Sequence, residues 1–180
     1  QLKPDSQTLD DEALMAQLGR PGVHPEGRFF PDTYSYAKGA SDLAVLKRAM
    51  KAMDKQLDKV WQVRSSQTAV KSPEEALILA SIVEKETGKA EERPQISGVF
   101  VRRLQKGMRL ETDPTVIYGI GDAYDGNIRK KDLQTVTPYN TYRMHGLPPT
   151  PIAMPGRAAL EAAAHPAPGE SLFFVATGDG

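Results

Sequence analysis

The stretch SPEEALILASIVEKETG, residues 72–88, predicts the helix on which the fold is built. Ser72 followed three positions later by Glu75 fits a capping box, and Pro73 suits the first helical position. Gly88 is a residue that commonly follows the end of a helix. Because the residues between these signals are mostly apolar, we expect a helix that packs into the core.

Two glutamates close this helix, and the helical period predicts different surroundings for them. Each residue advances about 100° around a helix, so Glu86 falls within about 20° of Leu79. Leu79 belongs to an apolar stripe that also contains Ile82 and Val83. Glu84 falls about 140° away, on the opposite side. Glu86 is therefore the acid that faces inward.

An inward carboxyl group at Glu86 has two interpretations, a general acid or the partner of an arginine in an ion pair. Burial raises the pKa of a carboxyl group because desolvation penalises its charged form. A carboxyl that stays protonated near neutral pH can act as a general acid on a glycosidic oxygen. Glu86 also stands in the last helical turn, where an ion pair with an arginine is common, and the candidates are Arg93, Arg102 and Arg109. The helical period alone leaves both interpretations open.

Composition excludes several classes of protein and site. The 180 residues suffice for one domain with a sizeable core. Lys plus Arg and Asp plus Glu both number 23, and this balance argues against a nucleic-acid-binding protein. The chain has no cysteine, which excludes disulfides, thiolate nucleophiles and cysteine metal sites. It also has no run of about 18 apolar residues that would span a membrane.

The rest of the chain predicts a mostly helical α+β domain with short strands and long ordered loops. Further helices are predicted over 6–19, 41–64 and 90–107, from about 113, and over 156–166. The helix over 90–107 carries Arg102 and Arg103 in its last turns, where they favour the helix dipole. SLFFVA, residues 171–176, predicts a β-strand. The turn-rich segment 122–156 is too long for an ordinary connection, which is typical of a functional loop.

Polar residues in two segments are candidate substrate contacts. Asp113 precedes Pro114 and is most simply an N-cap, although a substrate role is compatible with that position. The segment PYNTYRMHGLPP presents a cluster of aromatic, amide and hydroxyl side chains, namely Tyr139, Asn140, Thr141 and Tyr142. Such residues bind sugars well, but a proline-braced loop packed by its tyrosines is an equal alternative.

Other catalytic signatures are missing from the sequence. The three histidines are far apart and form no HExxH motif, so no zinc site is expected. The sequence contains no GxSxG nucleophile motif, no P-loop and no GxGxxG motif. We therefore expect neither a metal nor a cofactor.

Five segments in chain order resemble one known family. They are EGRFFPDTY (26–34), LASIVEKET (79–87), GVFVRRLQKGMRLETDPTVIYG (98–119), YNTYRMHGLPPTPIAMPG (139–156) and AAAHPAPGESLFFVA (162–176). Together they are similar to the endolytic murein transglycosylase family, also called MltG or YceG-like. The resemblance covers nearly the whole chain from about residue 25.

The resemblance implies a lytic transglycosylase that cuts the β-1,4 bond between N-acetylmuramic acid and N-acetylglucosamine and leaves a 1,6-anhydro end. The family's catalytic glutamate lies in the EKET segment, which places it at Glu86, the position that the helical period also selects. The remaining motifs would line a glycan groove. The expected substrate contacts are Thr112, Asp113, Tyr139, Asn140 and Tyr142, with Glu111 a weaker candidate.

The resemblance also implies a setting for the chain. Residues 1–180 are expected to be a single catalytic domain, taken from a longer protein with an N-terminal membrane anchor and a LysM-like domain, and shortened at its C-terminal end. The expected location is the cell envelope, on the periplasmic side of the bacterial inner membrane. The expected partners are peptidoglycan glycan strands and cell-wall synthases.

Two other functions compete with the transglycosylase. A hydrolytic muramidase would need a second carboxylate, and Asp113 and Asp32 are the candidates. A non-catalytic glycan-binding or scaffold module of a cell-wall synthesis complex would bind glycan without cutting it, and its Glu86 would be salt-bridged and exposed.

Overall fold

Seven α-helices form the secondary structure of residues 1–175, the part of the chain that the computed structural model describes. In chain order they are α1 (Asp11–Gln17), α2 (Asp42–Gln62), α3 (Pro73–Glu86), α4 (Arg93–Gln105), α5 (Asp113–Ile120), α6 (Lys130–Gln134) and α7 (Arg157–Ala164). Short 3₁₀ helices precede α1 and α4 and follow α5. None of the helices in this part of the chain is both long enough and apolar enough to cross a membrane.

Helix α3 lies at the centre of the fold, as the sequence predicts. The Ser72 hydroxyl accepts a hydrogen bond from the Glu75 amide at 3.1 Å, and Pro73 is the first helical residue. Eight consecutive residues, from Ala76 to Val83, are buried. A helix buried on all sides needs neighbours on all sides, and α2, α4, α5 and α7 supply them. The buried stretch ends at Val83, one turn before the C-terminal end of α3, where Glu86 stands.

The other long helix, α2, covers one side of α3 with an amphipathic face. Ser41 caps it by accepting a hydrogen bond from the Leu43 amide at 3.2 Å. Its buried residues recur at helical spacing: Ala49, Met50, Met53, Leu57 and Val60. Three of these five belong to the main core, and Met50 instead joins a small cluster with Met15 and Leu18 next to α1.

The predicted α+β fold is wrong, because residues 1–175 contain no strand. A single isolated bridge between Lys3 and Ser41 is the only β-type pairing in this range. The predicted strand at 171–176 is a strap (residues 166–175) that lies along α4, and Ala176 lies outside the described residues. The strap carbonyls of Ser171 and Leu172 accept hydrogen bonds from the guanidinium groups of α4, so no neighbouring strand is needed to satisfy them.

The segment 122–156 is ordered by hydrogen bonds rather than by regular structure. Its one α-helix is the short α6, which the sequence analysis did not predict. This helix begins with a carboxylate of Asp132 that accepts the Arg129 amide at 2.8 Å. Five helical residues are too few to show a hydrophobic period. The segment lies against α3 and α5 and brings Thr141 and Tyr142 next to the start of α5.

Candidate active site

A cleft of about 230 Å³ lies where the C-terminal end of α3 meets the N-terminal end of α5. Glu86 comes from α3, Thr112 and Asp113 from the start of α5, and Tyr142 from the segment after α6. The other walls combine apolar side chains with two charged ones: Val99, Leu110, Leu172, Phe173 and Phe174, together with Arg103 and Glu111. The cleft thus surrounds one partly buried carboxyl group with apolar and hydrogen-bonding side chains.

The Glu86 carboxyl group has the environment that a general acid needs. Burial raises its pKa above the usual value of a glutamate, and the nearby negative charge of Asp113 raises it further. The Thr112 hydroxyl donates a hydrogen bond to Glu86 Oε1, which lowers the pKa and offsets part of the rise. The balance favours a protonated carboxyl at higher pH than an exposed glutamate would allow.

Glu84 lies outside the cleft, so the predicted separation of the two glutamates is confirmed. Its Oε2 atom accepts a hydrogen bond from Arg93 at 2.9 Å, and its Oε1 atom accepts one from the Gly156 amide at 2.7 Å. Glu84 therefore ties the end of α3 to α4 and to the start of α7. Arg93, one of the three arginines considered as partners of Glu86, pairs with Glu84 instead.

Asp113 and Tyr142 face each other at the mouth of the cleft. The Tyr142 hydroxyl donates a hydrogen bond of 2.6 Å to Asp113 Oδ1. Burial, followed by this hydrogen bond, raises the pKa of the Tyr142 hydroxyl well above its usual range. The prediction that Asp113 is an N-cap is wrong: Thr112 occupies the cap position and Asp113 is the first helical residue. This one-residue difference leaves the Asp113 carboxylate free to turn toward Tyr142.

A network of buried threonines fixes Thr112, the partner of Glu86. The Thr112 amide donates to Thr141 Oγ1 at 3.0 Å, and the Thr115 hydroxyl donates to the Thr112 carbonyl at 2.8 Å. The Thr115 and Thr141 hydroxyl oxygens are also 2.8 Å apart. Next to this network, Glu111 has a φ of 52°, the left-handed region that few non-glycine residues occupy. The start of α5 is thus held tightly against the segment 132–142.

Two predicted substrate contacts, Tyr139 and Asn140, lie away from the cleft walls. Asn140 is buried, and its Nδ2 atom donates to three backbone carbonyls, while its Oδ1 atom accepts the Tyr142 amide at 2.9 Å. The Tyr139 hydroxyl lies 2.7 Å from Thr150 Oγ1, and its ring packs 4.9 Å from that of Tyr118. Both side chains hold the loop that carries Thr141 and Tyr142.

Comparison with known proteins identifies the family. A family model described as the YceG-like family matches residues 2–180. The chain belongs to the YceG-like family. A crystal structure of a yceG-like protein from Listeria monocytogenes, 36% identical, superposes with a TM-score of 0.75 over 89% of this chain and 52% of that one. This likeness agrees with the resemblance seen in the five sequence segments.

Curated relatives of this YceG-like chain carry the name of an enzyme. An "Endolytic murein transglycosylase" of Bacillus subtilis (strain 168) is 39% identical over 96% of this chain and 51% of its own length. A protein of the same name from Streptococcus pneumoniae serotype 2 is 33% identical over 84% of this chain and 28% of its own length. The chain therefore spans about half or less of the length of the curated relatives it matches.

Several cleft residues of this YceG-like chain were missed by the sequence analysis. Arg103, Val99 and Leu110 line the cleft, and so does the strap through Leu172 and Phe173. Arg103 is almost fully buried, although a basic residue in the last turn of a helix usually faces solvent. A doublet of phenylalanines after a Pro/Gly-rich stretch was the only sign that the C-terminal segment returns to the core.

Other cavities in the described part of this family member lack comparable chemistry. One of about 510 Å³ lies between α2 and α7, and one of about 680 Å³ lies beside α4. Neither combines a carboxyl group with the threonine, aspartate and tyrosine that surround Glu86. No group of three His, Asp or Glu side chains within residues 1–175 is arranged to bind a metal ion.

Proposed function

We propose that this chain is a peptidoglycan lytic transglycosylase that cuts the MurNAc-β-1,4-GlcNAc bond and leaves 1,6-anhydro-MurNAc ends. One observation carries the proposal: Glu86, whose carboxyl pKa is raised by burial, lies in a cleft beside Thr112, Asp113 and Tyr142. The names of the curated relatives support the same reaction. The 1,6-anhydro product distinguishes this reaction from hydrolysis.

In the proposed mechanism Glu86 serves first as acid and then as base. The protonated carboxyl donates its proton to the glycosidic oxygen, the bond from that oxygen to C1 of MurNAc breaks, and GlcNAc leaves with a free 4-hydroxyl group. Positive charge develops at C1. The MurNAc C6 hydroxyl attacks C1, closes the anhydro ring and gives its proton to the Glu86 carboxylate. The cycle ends with Glu86 protonated again, and no water is consumed.

The neighbours of Glu86 have separate roles in this proposal. Thr112 orients the carboxyl through its hydrogen bond and leaves Oε2 available to the glycosidic oxygen. Asp113 and Tyr142 form a polar edge at the mouth of the cleft, suited to sugar hydroxyl or acetamido groups. Tyr139 and Asn140 act on the substrate only through the loop that they hold.

Analysis of the products tests the proposal. Soluble glycan strands without stem peptides should yield fragments that end in 1,6-anhydro-MurNAc, lighter by one water molecule than hydrolysis products. In labelled water these fragments should carry no label. Reducing MurNAc ends that carry the label would instead show a hydrolytic muramidase, whose second carboxylate would be Asp113 or Asp32. Binding without any cleavage would show a glycan-binding module.

The pH dependence of cleavage gives a second prediction. Since the general acid must be protonated, kcat/KM should fall as the pH rises through the Glu86 pKa. Thr112→Val removes a hydrogen bond that lowers this pKa, so the alkaline limb should move to higher pH. Asp113→Asn removes a charge that raises it, so the limb should move to lower pH. If the alkaline limb moved in the same direction in Thr112→Val and in Asp113→Asn, the assignment of the general acid to Glu86 would be contradicted.

The proposed reaction also predicts the cellular location of the chain and its protein partners. Because peptidoglycan lies outside the cytoplasmic membrane, we place the chain in the cell envelope, on the outer, periplasmic side of the inner membrane. Its glycan substrate is made there by cell-wall synthases, which are the proposed protein partners. Fractionation of cells that express the full-length protein, followed by crosslinking, tests both statements.

A further inference from the structure

The strap carries an aromatic ring in an unusual position. Phe173 is 73% exposed, whereas Leu172 and Phe174 on either side of it are partly buried. Phe174 turns inward and packs edge-on against Phe100 with ring centres 5.4 Å apart. Phe173 points the other way, and it lines the cleft that contains Glu86. Its exposed apolar face is therefore available to a ligand that enters the cleft, and covering it would be favourable.

The ring of Phe173 is held in place by Arg103. The Arg103 guanidinium lies 4.9 Å from the ring centre, within the range of a cation–π interaction. Arg103 itself is only 6% exposed, and it donates hydrogen bonds to the Leu172 carbonyl at 2.8 Å and the Arg109 carbonyl at 2.7 Å. Glu111 lies 3.7 Å from the same guanidinium. The cation thus fixes both the ring and the strap backbone beside it.

The strap is fixed at several further points along α4. Its Ala167 amide donates to the Pro94 carbonyl at 2.9 Å, and its Ala167 carbonyl accepts from Arg102 at 3.0 Å. It passes so close to Gly98 that an added Cβ atom would lie 2.4 Å from the Ala167 oxygen. A segment held in this way presents Phe173 with little freedom, and such preorganisation lowers the entropic cost of binding a ligand.

We propose that Phe173 is a sugar-binding platform, on which a pyranose ring of the glycan strand stacks in the subsite next to Glu86. One face of a pyranose ring carries mainly C–H groups, which pack well on the face of an aromatic ring. Polar groups nearby suit the hydroxyl edge of the same sugar: Asp113, Tyr142 and the exposed Glu111 carboxylate. The inference rests on the proposed function and adds to it a residue that binds substrate without taking part in proton transfer.

Substitutions at Phe173 in the full 180-residue chain test the platform. Phe173→Leu keeps an apolar side chain but removes the flat face, and we expect KM for soluble glycan strands to rise about tenfold. Since the residue is not involved in proton transfer, kcat should change little. Phe173→Trp keeps a flat face and should restore KM to within about threefold of the parent value. Val63→Ala, at a valine that is 64% exposed outside the cleft, is the matched control and should leave KM unchanged.

A binding measurement separates this inference from the proposed function. In a Glu86→Gln background, titration calorimetry with the same glycan strands should show the Phe173→Leu substitution raising Kd about tenfold. If the parent cuts the strands and Phe173→Leu has the same KM as the parent, the platform is contradicted and the proposed function is not. A change of oligomeric state in Phe173→Leu with unchanged KM would assign the ring to a protein contact and overturn it as well. If the parent neither binds nor cuts the strands, both the proposed function and the platform fail.

Discussion

Glu86→Gln should lower the rate of glycan cleavage by at least about 10³-fold, because both proton transfers lose their only group. Glutamine has nearly the same shape and can still accept the hydrogen bond from Thr112, so the cleft should keep its form. What is lost is the proton for the glycosidic oxygen and the carboxylate that would accept the proton of the C6 hydroxyl. Mass spectrometry of the fragments released over a long incubation measures the loss.

The stability of the same variant distinguishes lost chemistry from lost folding. The Glu86 pKa in the folded state is above its usual value of 4.5, so the folded protein binds this proton more tightly than the unfolded chain. The free energy of unfolding therefore falls as the pH rises from the Glu86 pKa of the unfolded chain to that of the folded protein. Glutamine does not ionise, so the variant does not lose stability in this way as the pH rises. At pH 7 it should be as stable as the parent or more stable. Glu91→Gln, at an exposed position, is the control and should retain full activity.

A less stable Glu86→Gln chain, or one that still cuts glycan at a tenth of the parent rate, would contradict the assignment. In the first case Glu86 would be a structural residue that stabilises the end of α3. In the second the proton would come from another group, and Asp113, in the same cleft, would be the next candidate.

Those parts of the fold that depend on period and capping were predictable from the sequence. Helix α3 shows an apolar run, a Ser/Pro start and a Gly after its end, and all three signals agree. The strap was predicted wrongly because a short apolar run such as SLFFVA has the same sequence whether a strand or the two arginines of α4 lie alongside. Only the fold shows that Arg102 and Arg103 take the hydrogen-bonding role of a neighbouring strand.

In the candidate site, the sequence predicts which residue types are present but not which way they face. The helical period distinguishes Glu86 from Glu84 because α3 is long and regular. No such period exists in the loop at 139–142, where an asparagine that binds sugar and one that binds backbone look identical. Arg103 was missed for a related reason, since the burial of a charged side chain depends on the carbonyl groups that a distant strap brings to it.

Asn140→Ala should be the most destabilising substitution in this loop. The Asn140 side chain is almost fully buried and donates to the carbonyls of Asp132, Leu133 and Thr135, at 3.2, 3.1 and 2.7 Å. Alanine would leave these carbonyls and the Tyr142 amide without their partner in a buried position. We expect the free energy of unfolding to fall by about 3 kcal/mol, measured by urea denaturation. Asn127→Ala, at an exposed loop position, should cost about 0.5 kcal/mol or less.

The charged variant Asn140→Asp identifies the direction of these hydrogen bonds. At neutral pH an ionised carboxylate would face three carbonyl oxygens, so the variant should be at least as unstable as Asn140→Ala. Acidification would protonate the introduced carboxyl and give it one O–H donor, so part of the stability should return as the pH falls. A loss that is the same at all pH values would mean that the amide does not donate to the carbonyls. Because Tyr142 depends on this loop, the loss of stability should be accompanied by a higher KM for glycan strands, which connects the buried amide to the mouth of the cleft.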